Sequence, residues 1–361
     1  MTRQPNQIEL SQRPLRIDAL PKDSLYIGVA GFEDRALGFL KETAKLGKKF
    51  KSCVAIDYRP FDTSNRKAEF ENIATGSFEF VQWKIYDRGC PETFSSACNE
   101  ILGLSNSVSN VIVDISAMSK MLVVVLMYGL RRTNLPLSVV YAPASIYHPL
   151  KEKFEEKKLK YSDAFPYFLT SNVYKVVTTT ELSSIAMQGA PIVIVAFPNF
   201  NHLEIAALLN ETNAQKLFLV ESIRDPEKNK WRLDAIRWIN RGLKTYVTPI
   251  CYELDASDIN ANINLLDKIY NEYHLTHKIA ISPTGGKLQA LATFCLKNMH
   301  PDIHIVYPVV REFERGYTEG YLPHSEIFFP NFEDFVNRLN RHRMEGIYEI
   351  EQFIKNIKKQ G

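Results

Sequence analysis

The chain reads twice. VDISAMSKMLVVVLMYGL (Val113 to Leu130) and AISPTGGKLQALATFCL (Ala280 to Leu296) share one plan: an apolar strand, a short loop of small and hydroxyl residues, a lysine, then an apolar helix. Lys120 and Lys287 stand roughly 167 positions apart, and a pattern recurring at a fixed offset marks one structural unit used twice. Other landmarks keep that offset and order. LYIGVAGFEDRALGFL (Leu25 to Leu40) matches IVIVAFPNFNHLEIAALL (Ile192 to Leu209); Asp57 with Arg59 matches Glu221 with Arg224; Tyr141 matches Tyr307. Each landmark is a strand running into a loop and helix, so the expected fold is α/β, with two tandem Rossmann-like doubly wound parallel sheets forming a pseudo-dimer.

A length of 361 residues suits two such units. The expected division is an N-terminal arm over 1–23, a first unit over 24–186, a second over 187–328 and C-terminal helices over 329–361. Continuously apolar, β-branched runs place strands near 25–30, 52–57, 78–83, 110–115 and 137–141, then near 192–197, 216–221, 245–250, 277–282 and 303–307. Helices are expected between them, near 33–46, 66–75, 92–104 and 119–132, then near 202–212, 229–242, 257–274 and 286–298. The charged KEKFEEKKLK (Lys151 to Lys160) reads as solvated, the RGYTEGY stretch as a hairpin tip, and Phe332 to Arg341 and Met344 to Lys359 as outward-facing helices. The polar arm is expected either to stay mobile or to pack on a neighbour.

Composition excludes several classes. With 44 basic against 41 acidic residues and a net charge of +3, no general electrostatic attraction to genomic DNA is expected, although a local basic pocket is compatible with it. Five scattered cysteines form neither a CxxC pair nor a metal-spaced set, which points to a reducing cytoplasm and to no metal site. The apolar run from Met121 to Tyr128 is far shorter than the roughly 20 residues that span a bilayer, and the N-terminus lacks a signal-peptide core, so no membrane association is expected. No Walker A, GxGxxG, HExxH or GxSxG motif occurs, so no cofactor and no catalytic residue is assigned.

In an open parallel sheet, ligands sit beyond the carboxyl ends of the strands, where both lysine loops fall. In SPTGGK, Gly285 and Gly286 allow close backbone approach, Ser282 and Thr284 add hydroxyls, the helix start offers free N–H groups, and Lys287 adds a point charge; together these suit a phosphate. The alternative is a tight turn with a solvated lysine. Ser116, Ser119 and Lys120 hold the matching places in DISAMSK, where Met118 and Ser119 replace the glycines. Lys287→Ala is therefore expected to weaken anion binding more than Lys120→Ala, and Gly286→Val more still. Asp114 either orients a ribose hydroxyl or base, or caps the next helix. Phe32 and Phe200 are candidates to stack on a base, with Glu33, Asp34, Asn199 and Asn201 to read its edge; the alternative for the rings is plain core anchoring. Arg59, Arg224 and Arg311 are weaker anion candidates.

ISPTGGK resembles, and VDISAMSK more loosely resembles, the small-residue loop with its lysine in the CRISPR-associated Rossmann-fold (CARF) sensors and their tandem relatives, the SAVED domains. The resemblance covers residues 24–325, and its sharp motifs are the two loops. It implies a cyclic or linear oligonucleotide second messenger bound in a composite pocket between two CARF-like units, and a role in prokaryotic antiviral defence. Those sensors are commonly fused to an effector. None is visible in this chain, so the resemblance assigns the output to a partner effector protein, to assembly including homo-oligomerisation, or to cleavage of the messenger. Two other functions remain open from sequence: a metal-independent ring nuclease, and a ligand-free scaffold subunit of a defence complex.

Overall fold

The computed structural model describes residues 9–161, 168–245, 247–313 and 316–341. Its first half lays down β1 (Gln12–Pro14), β2 (Ser24–Val29), α1 (Gly38–Lys45), β3 (Phe50–Arg59), α2 (Lys67–Ser77), β4 (Phe78–Asp87), α3 (Ser95–Ser105), β5 (Asn110–Asp114), α4 (Lys120–Gly129) and β6 (Leu137–Tyr141). A connecting region follows, with β7 (Ile146–Tyr147), α5 (Lys151–Lys160) and β8 (Thr170–Val177). The second half is β9 (Ile192–Ala196), α6 (His202–Thr212), β10 (Lys216–Ile223), α7 (Pro226–Ile239), β11 (Ile250–Asp255), α8 (Ile259–Tyr273), β12 (Lys278–Ser282), α9 (Lys287–Met299), β13 (His304–Ile305), β14 (Tyr307–Phe313), β15 (Thr318–Glu319) and β16 (Ser325–Phe329).

The two main sheets repeat one strand order. The first runs β1-β16-β6-β5-β2-β3-β4 and the second β11-β10-β9-β12-β13. Five strands of the first sheet, β4-β3-β2-β5-β6, and all five of the second are parallel to their neighbours. In the parallel part of each sheet the chain starts at a central strand, winds outward on one side, then returns to wind outward on the other. The switch point therefore falls between β2 and β5 in one sheet and between β9 and β12 in the other, and the lysine loops follow β5 and β12.

Alternate residues of the central strands face opposite helix layers. Tyr26, Cys53 and Ala55 pack with Phe39, Leu40, Phe70 and Ala74 of α1 and α2. Leu25, Ile27, Val54 and Ile56 point the other way, into a core shared with Val193, Val195, Phe218 and Val220 of the second sheet. α4 and α9 lie against each other in that shared core, with every residue from Met121 to Met127 and from Leu288 to Met299 buried. Two helices buried all round cannot be solvated, so each covers the other.

Several boundaries differ from the sequence reading. β16, inside the segment expected to belong to the second unit, joins the first sheet, antiparallel to β6, and carries β1 on its far edge. Residues 10–17 of the arm thus pack on this chain itself: Ile17 is buried beneath α1, and the Leu10 backbone exchanges two hydrogen bonds with the Asn260 side chain. The third strand of the second half lies at 250–255 rather than near 245–250, where Ile250 to Asp255 pair with Phe218 to Ile223 along one edge of the sheet. The helix at 332–341 buries Phe332, Phe335, Val336 and Leu339 in the shared core, so only its other face is outward. α5 is mostly exposed as expected, with Phe154 its buried contact. Residues 1–8, the second expected terminal helix (Met344 to Lys359) and Arg315 of RGYTEGY lie outside the described residues.

Candidate functional site

Each lysine loop is held by its own buried hydrogen bonds. After β5, the Asp114 carboxylate accepts from the Ser116 amide at 3.0 Å, from the Ser116 hydroxyl, and from the Tyr26 phenol at 3.1 Å. The Ser116 oxygen in turn accepts from the Ala142 amide at 2.8 Å. Ser119 caps α4 by accepting from the Leu122 amide at 3.3 Å, and its own N–H donates to the Tyr58 phenol at 2.6 Å. After β12, the Thr284 hydroxyl donates to the Phe197 carbonyl at 2.8 Å and accepts from the Phe197 amide at 3.1 Å, pinning the glycine loop to the end of β9. Asn199 donates to the Thr284 carbonyl at 3.2 Å and to Glu204 at 3.0 Å. Asp114, Ser116, Thr284 and Asn199 are therefore loop builders.

The two glycines differ in role. A Cβ on Gly285 would stand 2.0 Å from Gln289 Oε1 and 2.8 Å from Phe197 Cβ, so only glycine fits there. Gly286 has φ −83° and its nearest neighbour to a Cβ would be 3.7 Å away, so neither backbone nor packing demands glycine at that position. Its N–H donates to Gln289 Oε1 at 2.7 Å, and Gln289 is further tied to Ser222 and Asn262. That amide, expected to meet an anion, is satisfied by the protein.

Both loops open into one cleft. Ala117 to Lys120 and Gly285 to Lys287 line it together with Gly31, Phe32, Glu33 and Arg35 from the loop after β2. Tyr58, Tyr141, Tyr147, Tyr307, Phe313 and Tyr317 supply aromatic walls, Arg88 a further cation, and Asp62 a second acid. The cleft encloses about 1020 Å³ counting the space open to solvent. Four cations, Arg35, Arg88, Lys120 and Lys287, face two acids, Glu33 and Asp62. That excess of positive charge against aromatic walls suits an anionic ligand carrying flat rings.

Each lysine feels the carboxylate of the opposite half. Burial, with the Arg35 and Lys120 cations, draws the Lys287 ammonium down to about 7 despite Glu33. Burial also pulls on Lys120, but Tyr307, Tyr317, Glu204 and Glu33 outweigh it and hold that ammonium above its ordinary value. Glu33 is buried, which would raise its carboxyl, yet Arg35, Lys287 and Thr318 keep it below the usual range. Its oxygen takes Arg35 at 2.7 Å and the Thr318 hydroxyl at 2.8 Å. Among the described residues neither the Lys120 nor the Lys287 ammonium has a hydrogen bond or ion pair, and the buried Arg88 Nε has no partner.

A side chamber of about 510 Å³ adjoins the cleft, sharing Lys120, Tyr147, Tyr307, Phe313 and Tyr317 with it. Asn199, Phe200, Asn201, Glu204 and Arg232 complete much of its wall. Phe200 is 7% exposed, packed on Phe168 and under the Arg232 guanidinium, so it anchors the core. Asn201 caps α6 and donates to Thr170.

The remaining expectations divide. Phe32 lies in the cleft wall, 6.0 Å from Phe313 centroid to centroid. Asp34 instead binds Arg66 at 2.6 Å and the Gly320 amide at 2.8 Å. Ser282 is fully buried beneath its loop. Arg59, Arg224 and Arg311 are exposed and line neither chamber, though the Arg224 charge acts on Tyr141 of the cleft wall. The matched acids Asp57 and Glu221 hold Lys67 and Arg237. Sequence reasoning missed Arg35, Arg88, Tyr58, Tyr147, Phe313, Tyr317, Glu204 and Arg232; the repeated tyrosines Tyr141 and Tyr307, noted as landmarks only, were the available signal. Among the described residues no cluster of three His, Cys, Asp or Glu side chains could hold a metal, and no helix is long and apolar enough to cross a membrane.

No family model and no curated protein matches this chain. Among solved structures, the cytoplasmic domain of a prokaryotic cation chloride cotransporter aligns with 79% of this chain and 95% of its own at 9% identity and a TM-score of 0.24, a likeness too slight to carry an argument. What the fold itself supports is an α/β protein built on parallel-strand sheets.

Proposed function

We propose that the cleft binds a cyclic or linear oligonucleotide of the second-messenger class, and that the protein is a cytoplasmic sensor acting in antiviral defence through a partner effector or assembly. In this reading the two sheets of equal strand order are tandem CARF-like units, and the cleft is the composite pocket between them. The observation that carries it is the convergence of Lys120 and Lys287, unpaired and on matching loops of the two halves, in one aromatic-walled cleft. Two lysine-bearing loops can hold two phosphates of one ligand, so the contacts reinforce each other. The test is calorimetric titration of the full chain with cyclic di-, tri- and tetranucleotides and their linear forms. Binding that falls about ten-fold or more in Lys120→Ala, the fully charged lysine, is expected. Absence of binding across the whole panel refutes the reading.

One observation favours a second reading, cleavage of the ligand. Lys287, near 7 in the free protein and protonated beside a bound phosphate, can donate its proton to the departing ribose oxygen as a general acid while water takes the proton of the attacking hydroxyl. Chromatography of a cyclic tetranucleotide after incubation with protein and EDTA separates the two: unchanged ligand supports the sensor alone.

A further inference from the structure

We infer that the side chamber reads one base of the ligand and selects guanine over adenine through the carboxylate of Glu204. The inference rests on the nucleotide reading above and specifies what that site accepts.

Glu204 sits in the first turn of α6, 4% exposed, and faces the chamber. Among the described residues the one hydrogen-bond partner of its carboxylate is the Asn199 side-chain amide, at 3.0 Å. The other polar groups of the wall are already engaged. Arg232 donates to the carbonyls of Tyr147, His148 and Pro149 at 2.9–3.0 Å. His148 pairs with Glu319 at 2.7 Å, and Asn201 is held by Thr170 and the Leu203 amide. Glu204 and Lys120, with the phenols of Tyr307 and Tyr317, are left to meet a ligand.

An ionised carboxylate only accepts hydrogen bonds, so what enters must bring donors. Burial holds the Glu204 carboxyl above its ordinary value against the pull of Lys120 and the Asn199 amide, and the two donors of an entering base, with the Lys120 ammonium, stabilise its ionised form in the complex. Guanine presents N1–H and its 2-amino group side by side, two donors matched to one carboxylate. Adenine sets its amino donor next to the N1 lone pair, which a carboxylate repels. Hypoxanthine keeps N1–H and lacks the amino group. Lys120, shared by both chambers, would then take the phosphate attached to the base held beside Glu204, and Tyr307, Phe313 and Tyr317 flank the passage.

The test titrates the full chain with cyclic di-GMP, cyclic di-IMP and cyclic di-AMP, and with the corresponding linear dinucleotides. The expected order is guanine, hypoxanthine, adenine, with guanine ahead of adenine by roughly ten-fold or more, since each hydrogen bond to a charged group matters at that scale. Glu204→Gln, whose amide offers one acceptor and one donor, should lose the guanine preference while retaining adenine binding. The ranking on the parent protein needs no variant, so misfolding of Glu204→Gln cannot obscure it. Adenine bound as tightly as guanine, or a folded Glu204→Gln that keeps the preference, overturns the inference and leaves the nucleotide reading standing. If none of these nucleotides nor any in the wider panel binds, the nucleotide reading fails and the base assignment falls with it.

Discussion

Lys287 makes ligand binding a proton-coupled event. In the free protein its ammonium titrates near 7, because burial and the cations of Arg35 and Lys120 disfavour its charge. A phosphate seated at the Lys287 loop reverses that balance, so the bound state keeps the proton at every pH from 6 to 8. The sign follows: the complex binds more protons than the free protein above pH 6, so affinity falls as pH rises. With a free value of about 7, the affinity should drop roughly ten-fold between pH 6 and pH 8, or about 1.4 kcal/mol. Phosphodiesters do not titrate in this window, which makes a cyclic nucleotide the right probe. Calorimetry in two buffers of different ionisation heat should also register uptake of roughly half a proton per ligand at pH 7. Lys287→Arg keeps its charge throughout and should bind with a flat pH profile. A flat profile in the parent, or an unchanged slope in Lys287→Arg, refutes the argument. The same chemistry revises the order expected from sequence: at pH 8, where Lys287 is mostly neutral, Lys120→Ala should be the more damaging change.

Lys287→Met should stabilise the ligand-free protein. The unfolded chain holds the lysine proton up to 10.5 and the folded chain releases it near 7, so the parent carries a penalty that is full below 7 and vanishes above 10.5. Thermal denaturation should show Lys287→Met ahead on the order of a few kcal/mol at pH 6, with the two curves merging near pH 10.5; equal stability at both pH values would contradict the assigned shift. Gly285→Ala, forced against Gln289 and Phe197, should cost about 1–3 kcal/mol in denaturant unfolding. Gly286→Ala should leave stability within about 0.5 kcal/mol yet weaken nucleotide binding, because it lines the cleft; the reverse pattern would disprove the division of roles.

Sequence alone determined the repeating strand–loop–helix plan. Apolar runs such as Val111 to Val113 and Ile279 to Ile281 can be buried on both faces only in a parallel sheet flanked by helices, and the lysine that follows each must then stand at a helix start on the sheet's carboxyl edge. Tertiary structure decided which polar groups remained available. Ser116, Thr284 and Asn199 look like ligand donors in a linear reading, but each meets a backbone partner from a distant strand or loop and is satisfied there. Arg88 reaches the cleft from the loop after β4, Tyr147 and Tyr317 reach it from beyond the repeated elements, and β16 crosses back to the first sheet, through contacts that no local pattern encodes. The near-neutral titration of Lys287 belongs to this second class: a lysine's residue type sets its ordinary value, and only burial, joined by the Arg35 and Lys120 cations and opposed by Glu33, moves that value into the physiological range.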